Sequence, residues 1–267
     1  MVRKPVVSGK FYPASAQELK KLLKGFVPEE TKKMLARAVI LPHAGYIYSG
    51  KVAAVTVNKI LKQKRVIILG PKHTDEGLDY ALWPKGAWDT PLGEVKIDEE
   101  LVEKILAKGN YIKADYLAHG LEHSIEVELP FLLHFFGEFK FIPIACQVAE
   151  VSVYQQVATQ IYEGIKLLKD EILLVASTDM THYEPDATAR KKDRAALEYI
   201  VNLDEEGLLN KVLKENITMC GVAPVAILIS LVKQLGVKKT QVALYETSAN
   251  ASGDYNSVVG YAGVIIS

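Results

Sequence analysis

Three histidines in this chain each follow an apolar run that predicts a β-strand. His43 follows ARAVIL, His73 follows RVIILG and His182 follows EILLVAS. In an open α/β sheet, side chains just beyond the carboxyl ends of neighbouring strands converge on one crevice, where such folds bind ligands. We therefore expect His43 and His73 to face one another at that edge of the sheet.

Cys220 is a further donor of the kind that binds transition metals. Imidazole nitrogen and thiolate sulfur suit zinc, copper and iron, and two histidines with one anionic ligand leave positions open for water or substrate. Cys220 precedes a predicted apolar helix, whose N-terminus we expect to lower the pKa of the thiol. The spacing of His43, His73 and Cys220 matches no metal motif such as HExxH. The residues alone therefore leave open that these are isolated loop histidines and a small buried cysteine.

Four further side chains are candidates for roles beside these donors. Asp179 is close to His182 in the segment STDMTHY, and a histidine beside a carboxylate can act as a general acid or base; a solvated pair is the alternative. His123, Glu126 and Tyr46 are candidates for lining a substrate pocket. The segment LEHSIEVELPFLL has a periodicity that fits either a helix, which would place His123 and Glu126 on one face, or a strand, which would separate them.

The rest of the sequence predicts the elements that position these residues. Segments of helical period alternate with short apolar runs, which indicates βαβ units with parallel crossovers. The segment 74–98 is rich in glycine, proline and aromatic residues, so we predict an irregular or hairpin excursion of the kind that often covers an active site. We predict helices over 15–26, 52–61, 99–107, 153–168, 187–201, 204–214 and 223–235, and strands over 36–41, 65–69, 140–145, 171–177, 241–246 and 258–266.

The composition favours one globular protein and excludes several classes of partner. No linker or internal repeat divides the 267 residues, so we expect a single α/β domain over 1–267 with a mostly parallel central sheet flanked by helices. Lys+Arg and Asp+Glu both count 32, which gives no electrostatic footprint for nucleic acid. We find no signal-peptide pattern and no run of 18 apolar residues, and the two cysteines form no disulfide framework. We therefore expect a cytoplasmic protein without a membrane partner.

Six motifs, in order along the chain, resemble those of the Memo family. They are PHAGYIYSG around His43, GPKH at His73, TPLGEV from Thr90, EHSIEVELPF around His123, STDMTHY around His182 and TMCG at Cys220. The resemblance covers nearly the whole chain. It implies a fold similar to that of the class III extradiol dioxygenases of the LigB type, which are non-haem iron enzymes. By that similarity His43 and His73 correspond to two metal ligands, and His182 corresponds to the general acid or base.

The third ligand departs from the dioxygenase pattern. Those enzymes have a glutamate where this chain has Cys220, and a soft, oxidisable thiolate shifts the preference towards copper or zinc. The resemblance thus does not predict ring cleavage. It implies a metal-binding protein with an iron- or copper-dependent redox role, zinc being a further candidate ion, and the animal members are linked to phosphotyrosine-peptide binding.

Two other functions stay open for this crevice. One is a non-catalytic module that binds a peptide or small anion, and the other is a zinc-dependent hydrolase. The substrate is not identified by the sequence, and a homodimer is expected only because symmetric dimers are common.

Overall fold

The computed structural model describes residues 1–27, 31–168 and 172–267. Within these ranges the strands form one sheet of twelve members. The strands are β1 (Val2–Arg3), β2 (Ala38–Leu41), β3 (Arg65–Pro71), β4 (Tyr80–Leu82), β5 (Ala87–Trp88), β6 (Val95–Ile97), β7 (Lys113–Ala114), β8 (Lys140–Cys146), β9 (Ile172–Ser177), β10 (His182–Glu184), β11 (Thr240–Thr247) and β12 (Val258–Ile266).

Five strands form the parallel centre of the sheet, in the order β6, β8, β3, β9 and β2. β12 lies antiparallel to β2, and both β10 and β11 pair with β12. On the other side β5 and β1 continue the sheet beyond β6, while β4 pairs with β8 and with β7. All residues of β2 and β9 are buried, as expected for parallel strands that are covered on both faces.

Helices flank this sheet. α8 packs against β2, β3 and β9 and against α5, whereas α2 packs against β2, β11 and β12 and against α4. The predicted fold class, a single α/β domain with a mostly parallel sheet between helices, is therefore confirmed. The helices are α1 (Ala16–Gly25), α2 (Tyr46–Asn58), α3 (Glu99–Leu106), α4 (Leu129–Phe136), α5 (Val151–Ile165), α6 (Asp186–Val201), α7 (Glu205–Glu215), α8 (Val222–Gln234) and α9 (Ala249–Ser252).

Most of the predicted elements are present, and their ends follow local chemistry. Ser15 caps α1 by accepting the N–H of Glu18, and Asp204 caps α7 by accepting the N–H of Gly207. α2 begins six residues before its predicted start, because Gly45 makes the turn after β2 and the helix continues directly from it. The first residue of the predicted strand 171–177 lies outside the described residues, and the strand itself is β9.

Two segments differ from expectation. The strand alternative for 121–133 is wrong: a 3₁₀ turn, Glu126–Glu128, leads into α4, and Pro130 stands in the first turn of that helix, where it is tolerated. The apolar alternation misleads here because residues 124–132 are buried on all sides. The excursion 74–98 does not cover the cavity described below, since it forms β4, β5 and β6 and extends the sheet.

Among the described residues, no helix has both the length and the apolarity that crossing a membrane requires.

Gly70 allows the 121–128 segment to cross the end of β3. A Cβ at this position would lie 2.5 Å from Oγ of Ser124 and 2.6 Å from Cγ1 of Ile125. We expect Gly70→Ala to lower the free energy of unfolding by about 1–3 kcal/mol, because both neighbours are buried and must shift. Urea denaturation measures this. Gly25→Ala is the control, since a Cβ there meets no atom within 4 Å. If both variants lost equal free energy of unfolding, the close approach of Ser124 and Ile125 to Gly70 would not be the cause.

Candidate metal centre

His43 and His73 meet at the carboxyl edge of the parallel sheet. They follow β2 and β3, the two strands on either side of β9, and their ring centroids lie 5.4 Å apart. His43 is only 2% exposed. The structure thus places these two histidines next to each other, with the rings edge-on at 74°, as the strand pattern indicates.

His123 completes a cluster of three histidines. One ring nitrogen from each of His43, His73 and His123 lies within 4.8 Å of the other two, a spacing that permits a shared metal ion. The ring of His123 stacks on that of His73 at 5.0 Å. The sequence predicts His123 only as a pocket residue, because the periodicity of its segment is ambiguous. The helical turn at 126–128 brings it into the cluster.

Cys220 lies beside this cluster and contacts one of its members. Its Sγ is 3.3 Å from Nε2 of His43, and it accepts the backbone N–H of Asp179 at 3.2 Å. Gly221 permits the approach, since a Cβ there would collide with the carbonyl oxygen of Ser177. The expected lowering of the thiol pKa is wrong: burial, together with the Asp179 carboxylate, raises the pKa of Cys220. In the metal-free protein, burial outweighs the helix N-terminus.

The Nδ1 atoms of His43 and His73 are both held by neighbouring side chains. Nδ1 of His43 is 2.7 Å from Oγ of Ser177, and Nδ1 of His73 is 2.9 Å from Oε1 of Glu122. The backbone N–H of His73 also donates to Glu122, at 2.6 Å from Oε2. With Nδ1 occupied in this way, Nε2 is the nitrogen that each ring has left for a ligand.

Electrostatics differ among the three rings. Burial, aided by the neighbouring histidines, holds the pKa of His43 well below its usual value, and burial also lowers the pKa of His123. Burial opposes protonation of His73 too, but its hydrogen bond to Glu122 outweighs this and raises the pKa of His73. Burial alone would raise the pKa of Glu122, yet the hydrogen bonds from His73 and from the backbone hold it well below its usual range. Glu122 is therefore an ionised carboxylate behind His73.

Asp179 and His182 both line the cavity, but in the described chain no hydrogen bond joins them. Oδ1 of Asp179 accepts the backbone N–H of His43 at 2.9 Å, and burial raises the pKa of Asp179 to about 7. His182 is instead held by Thr218, whose carbonyl oxygen is 2.8 Å from its Nδ1. The expected acid–base pair is therefore replaced by two separate roles, because the Asp179 carboxylate binds the loop after β2.

Tyr46 and Glu126 lie outside the cavity. Tyr46 stacks on Phe131 with centroids 4.3 Å apart and donates its hydroxyl to the carbonyl oxygen of Val127 at 2.7 Å. Glu126 is fully buried and accepts hydrogen bonds from Arg3 and from Tyr12, each at 2.7 Å. Both side chains support the segment that carries His123 instead of contacting a ligand.

The cavity itself has a volume of about 210 Å³. Besides the donors it is lined by Phe11, whose ring meets that of His123 edge-on at 5.0 Å, and by Tyr183. Sequence reasoning missed these two and the supporting residues Glu122, Ser177 and Thr218. Glu122, Ser177, Tyr183 and Thr218 gave a signal, because they stand in the motifs around His123, His182 and Cys220. A larger cavity, about 820 Å³, opens at the amino ends of β3 and β8, but its lining of mainly lysine and glutamate includes no histidine or cysteine.

Comparisons with known proteins identify the family. The sequence model of the family described as Memo-like protein matches residues 3–265. The chain belongs to the Memo family. It is 43% identical to a MEMO1 family protein of Aquifex aeolicus, with 99% of this chain and 98% of the relative covered. MEMO1 family proteins of Methanopyrus kandleri and Thermotoga neapolitana are each 40% identical, over 99% and 100% of both chains respectively.

A solved structure supports the fold alone. An uncharacterized protein of Escherichia coli K12 is similar with a TM-score of 0.57 at 12% identity, covering 86% of this chain and 99% of that protein. Membership of the Memo family and the three-histidine cluster together permit metal binding at the carboxyl edge of the sheet.

Proposed function

We propose that this protein binds iron or copper at the histidine cluster and uses the ion in redox chemistry on a small molecule. The observation that carries the proposal is the pair of hydrogen bonds to Nδ1 of His43 and His73, made by Ser177 and Glu122. Metal-binding histidines characteristically donate their other ring N–H to such a partner, which fixes the tautomer and orients the ring.

The donor set fits the proposed ions. Imidazole suits iron, copper and zinc, and a thiol beside it favours copper or zinc over hard ions such as magnesium. We propose His43 and His73 as two ligands and Cys220 as the third, with the N–H of Asp179 stabilising its sulfur once the thiol loses its proton. Bound iron or copper supplies one-electron redox chemistry that the side chains lack.

His182 is the residue we propose for proton transfer. A carbonyl oxygen can only accept, so Nδ1 of His182 donates to Thr218 and the neutral ring keeps an unprotonated Nε2. His182 lines the cavity, where this nitrogen can take a proton from a bound molecule. Asp179 acts indirectly, by holding the backbone of His43. The volume of about 210 Å³ restricts the ligand to a small molecule or one side chain of a larger one.

Metal analysis tests this proposal. Protein prepared anaerobically, without chelator or affinity tag, is expected to contain near-stoichiometric iron or copper by elemental analysis. A wild-type protein that lacks both metals and refuses reconstitution with either would overturn the proposal. Stoichiometric zinc with turnover of ester or amide substrates would replace the redox role with hydrolysis.

The third ligand is identified by a pair of variants. Loss of a residue that only supports a metal ligand weakens metal binding by up to about 100-fold. Cys220→Ser removes a proposed ligand itself, so we expect it to weaken copper binding by more than about 100-fold. Thiolate-to-copper charge-transfer absorbance should vanish in the same variant. His123→Gln should keep that absorbance. Cys146→Ala is the control for a thiol outside the site, since Cys146 is buried in the core. The opposite pattern, with absorbance intact in Cys220→Ser and binding lost in His123→Gln, would assign the three histidines as the ligand set.

A further inference from the structure

Three glutamates in the segment EHSIEVE are almost completely buried, but they have different partners. Glu122 accepts the backbone N–H groups of His123 and Ser124 in addition to its bonds with His73. Glu126 forms an ion pair with Arg3. Glu128 forms no ion pair in the described part of the chain, and its Oε2 has no hydrogen-bond partner.

Glu128 therefore lacks the ion pair of Glu126 and the backbone N–H donors of Glu122. Among the described residues its one hydrogen-bond contact is Oε1 to Oγ of Ser177, at 2.7 Å. The titratable groups that face it are Asp179, which carries negative charge when ionised, and Tyr46, whose hydroxyl is donated to a carbonyl. Burial and the Asp179 carboxylate both raise the pKa of Glu128 well above its usual value.

The proton count at Ser177 leads to the same protonation state independently. Oγ of Ser177 has three neighbours: the carbonyl oxygen of Ser124 at 2.9 Å, Nδ1 of His43 at 2.7 Å and Oε1 of Glu128 at 2.7 Å. A serine hydroxyl donates one hydrogen and accepts two. All three contacts can be hydrogen bonds only if the single Ser177 proton goes to the Ser124 carbonyl, which can only accept, and not to Glu128. His43 and Glu128 must then both donate to Ser177.

We propose that Glu128 is a neutral carboxylic acid which, together with Ser177, holds His43 in the Nδ1–H tautomer and so leaves its Nε2 lone pair facing the cavity. Ser177 and Glu128 are thus positioning residues: Ser177 lies one hydrogen bond away from the His43 ring, which borders the site, and Glu128 lies two hydrogen bonds away. An ionised Glu128 would instead compete with the Ser124 carbonyl for the Ser177 proton and would leave one of these two contacts without a hydrogen. The role of Glu128 and Ser177 in metal binding rests on the proposed function. The protonation states of Glu128 and His43 do not depend on it.

Infrared difference spectroscopy of metal-free protein at neutral pH tests the neutral acid. Wild type minus Glu128→Gln is expected to show the C=O stretch of a protonated carboxylic acid. Wild type minus Glu122→Gln, the control at a buried but ionised glutamate, should show only carboxylate bands. A carboxylate difference spectrum for Glu128→Gln would overturn the proposal.

The tautomer and the metal affinity provide the second test. Long-range ¹H–¹⁵N spectra of metal-free wild-type protein are expected to show His43 protonated at Nδ1, and the Nε2–H form would contradict the proposal. Glu128→Gln should keep the affinity for copper, because its amide N–H replaces the acid O–H, while Ser177→Ala should weaken binding about 10–100-fold. Equal losses in both variants would also count against it. If the wild-type protein does not bind copper, only the proposed function is contradicted. The protonation states of Glu128 and His43 are still tested, because the infrared and NMR spectra are recorded on metal-free protein.

Discussion

Alanine at His43 is expected to leave the purified protein without stoichiometric iron or copper. His43 has the most contacts within the site: its ring lies against His73 and His123, and its Nε2 is 3.3 Å from Sγ of Cys220. Alanine at position 43 removes the side chain that contacts His73, His123 and Cys220. Elemental analysis of the anaerobically prepared variant, with competition titration against a copper chelator, measures the loss.

The matched control is the same substitution at another histidine. His134 lies on α4, outside the cavity, so His134→Ala is expected to keep the wild-type metal content. Circular dichroism and the midpoint of thermal unfolding check that His43→Ala is folded. Wild-type metal content in a folded His43→Ala protein would place the ion elsewhere.

Glu126→Gln is expected to lower the free energy of unfolding by about 3–5 kcal/mol, the cost of leaving a buried charge without its partner. The side chains of Arg3 and Glu126 are 3% and 0% exposed, and Nη1 to Oε2 measures 2.7 Å. Arg3 also donates to the carbonyl oxygens of His119 and Glu122, at 2.8 Å and 2.6 Å. Guanidinium denaturation measures the change. Copper affinity should fall as well, because the Arg3–Glu126 pair holds the segment that carries Glu122, the hydrogen-bond partner of His73.

An exposed ion pair nearby supplies the control. Lys4 and Asp89 form an ion pair between the residues that directly follow β1 and β5. The side chain of Lys4 is 74% exposed, so solvent screens this pair. Asp89→Asn should therefore leave the unfolding midpoint almost unchanged. Equal effects of Glu126→Gln and Asp89→Asn would show that burial of the Arg3–Glu126 pair does not stabilise the fold.

The central strands and the positions of the histidines that follow them could be predicted because their signals are local. Short apolar runs bounded by proline or glycine predict buried strands, and residues just past parallel strands meet at one edge. This reasoning predicted β2, β3, β8 and β9 and brought His43 and His73 together, while the thiol chemistry of Cys220 and its place before an apolar helix singled out that residue.

The 121–128 segment could not be interpreted in the same way. From residue 124 onward it is buried on all sides, so polarity does not reveal its period, and the strand alternative places His123 and Glu126 on different faces. Glu126 and Tyr46 were candidates for the pocket because of their place in the motifs, yet they are buried supports. Conversely, Asp179 reaches the cavity but binds the backbone of His43.

The sequence by itself determined the family, the fold class and the edge of the sheet where His43 and His73 meet, because motif order and strand burial are local properties of the sequence. Only the tertiary structure decided the proton partners. Glu122 and His73 are 49 residues apart, as are Glu128 and Ser177, and Ser177 meets His43 across 134 residues. Such pairs depend on how strands and loops cross in space. A hydrogen bond requires the donor–acceptor distance to lie within a few tenths of an ångström of its ideal value, and the periodicity of a sequence does not encode that precision.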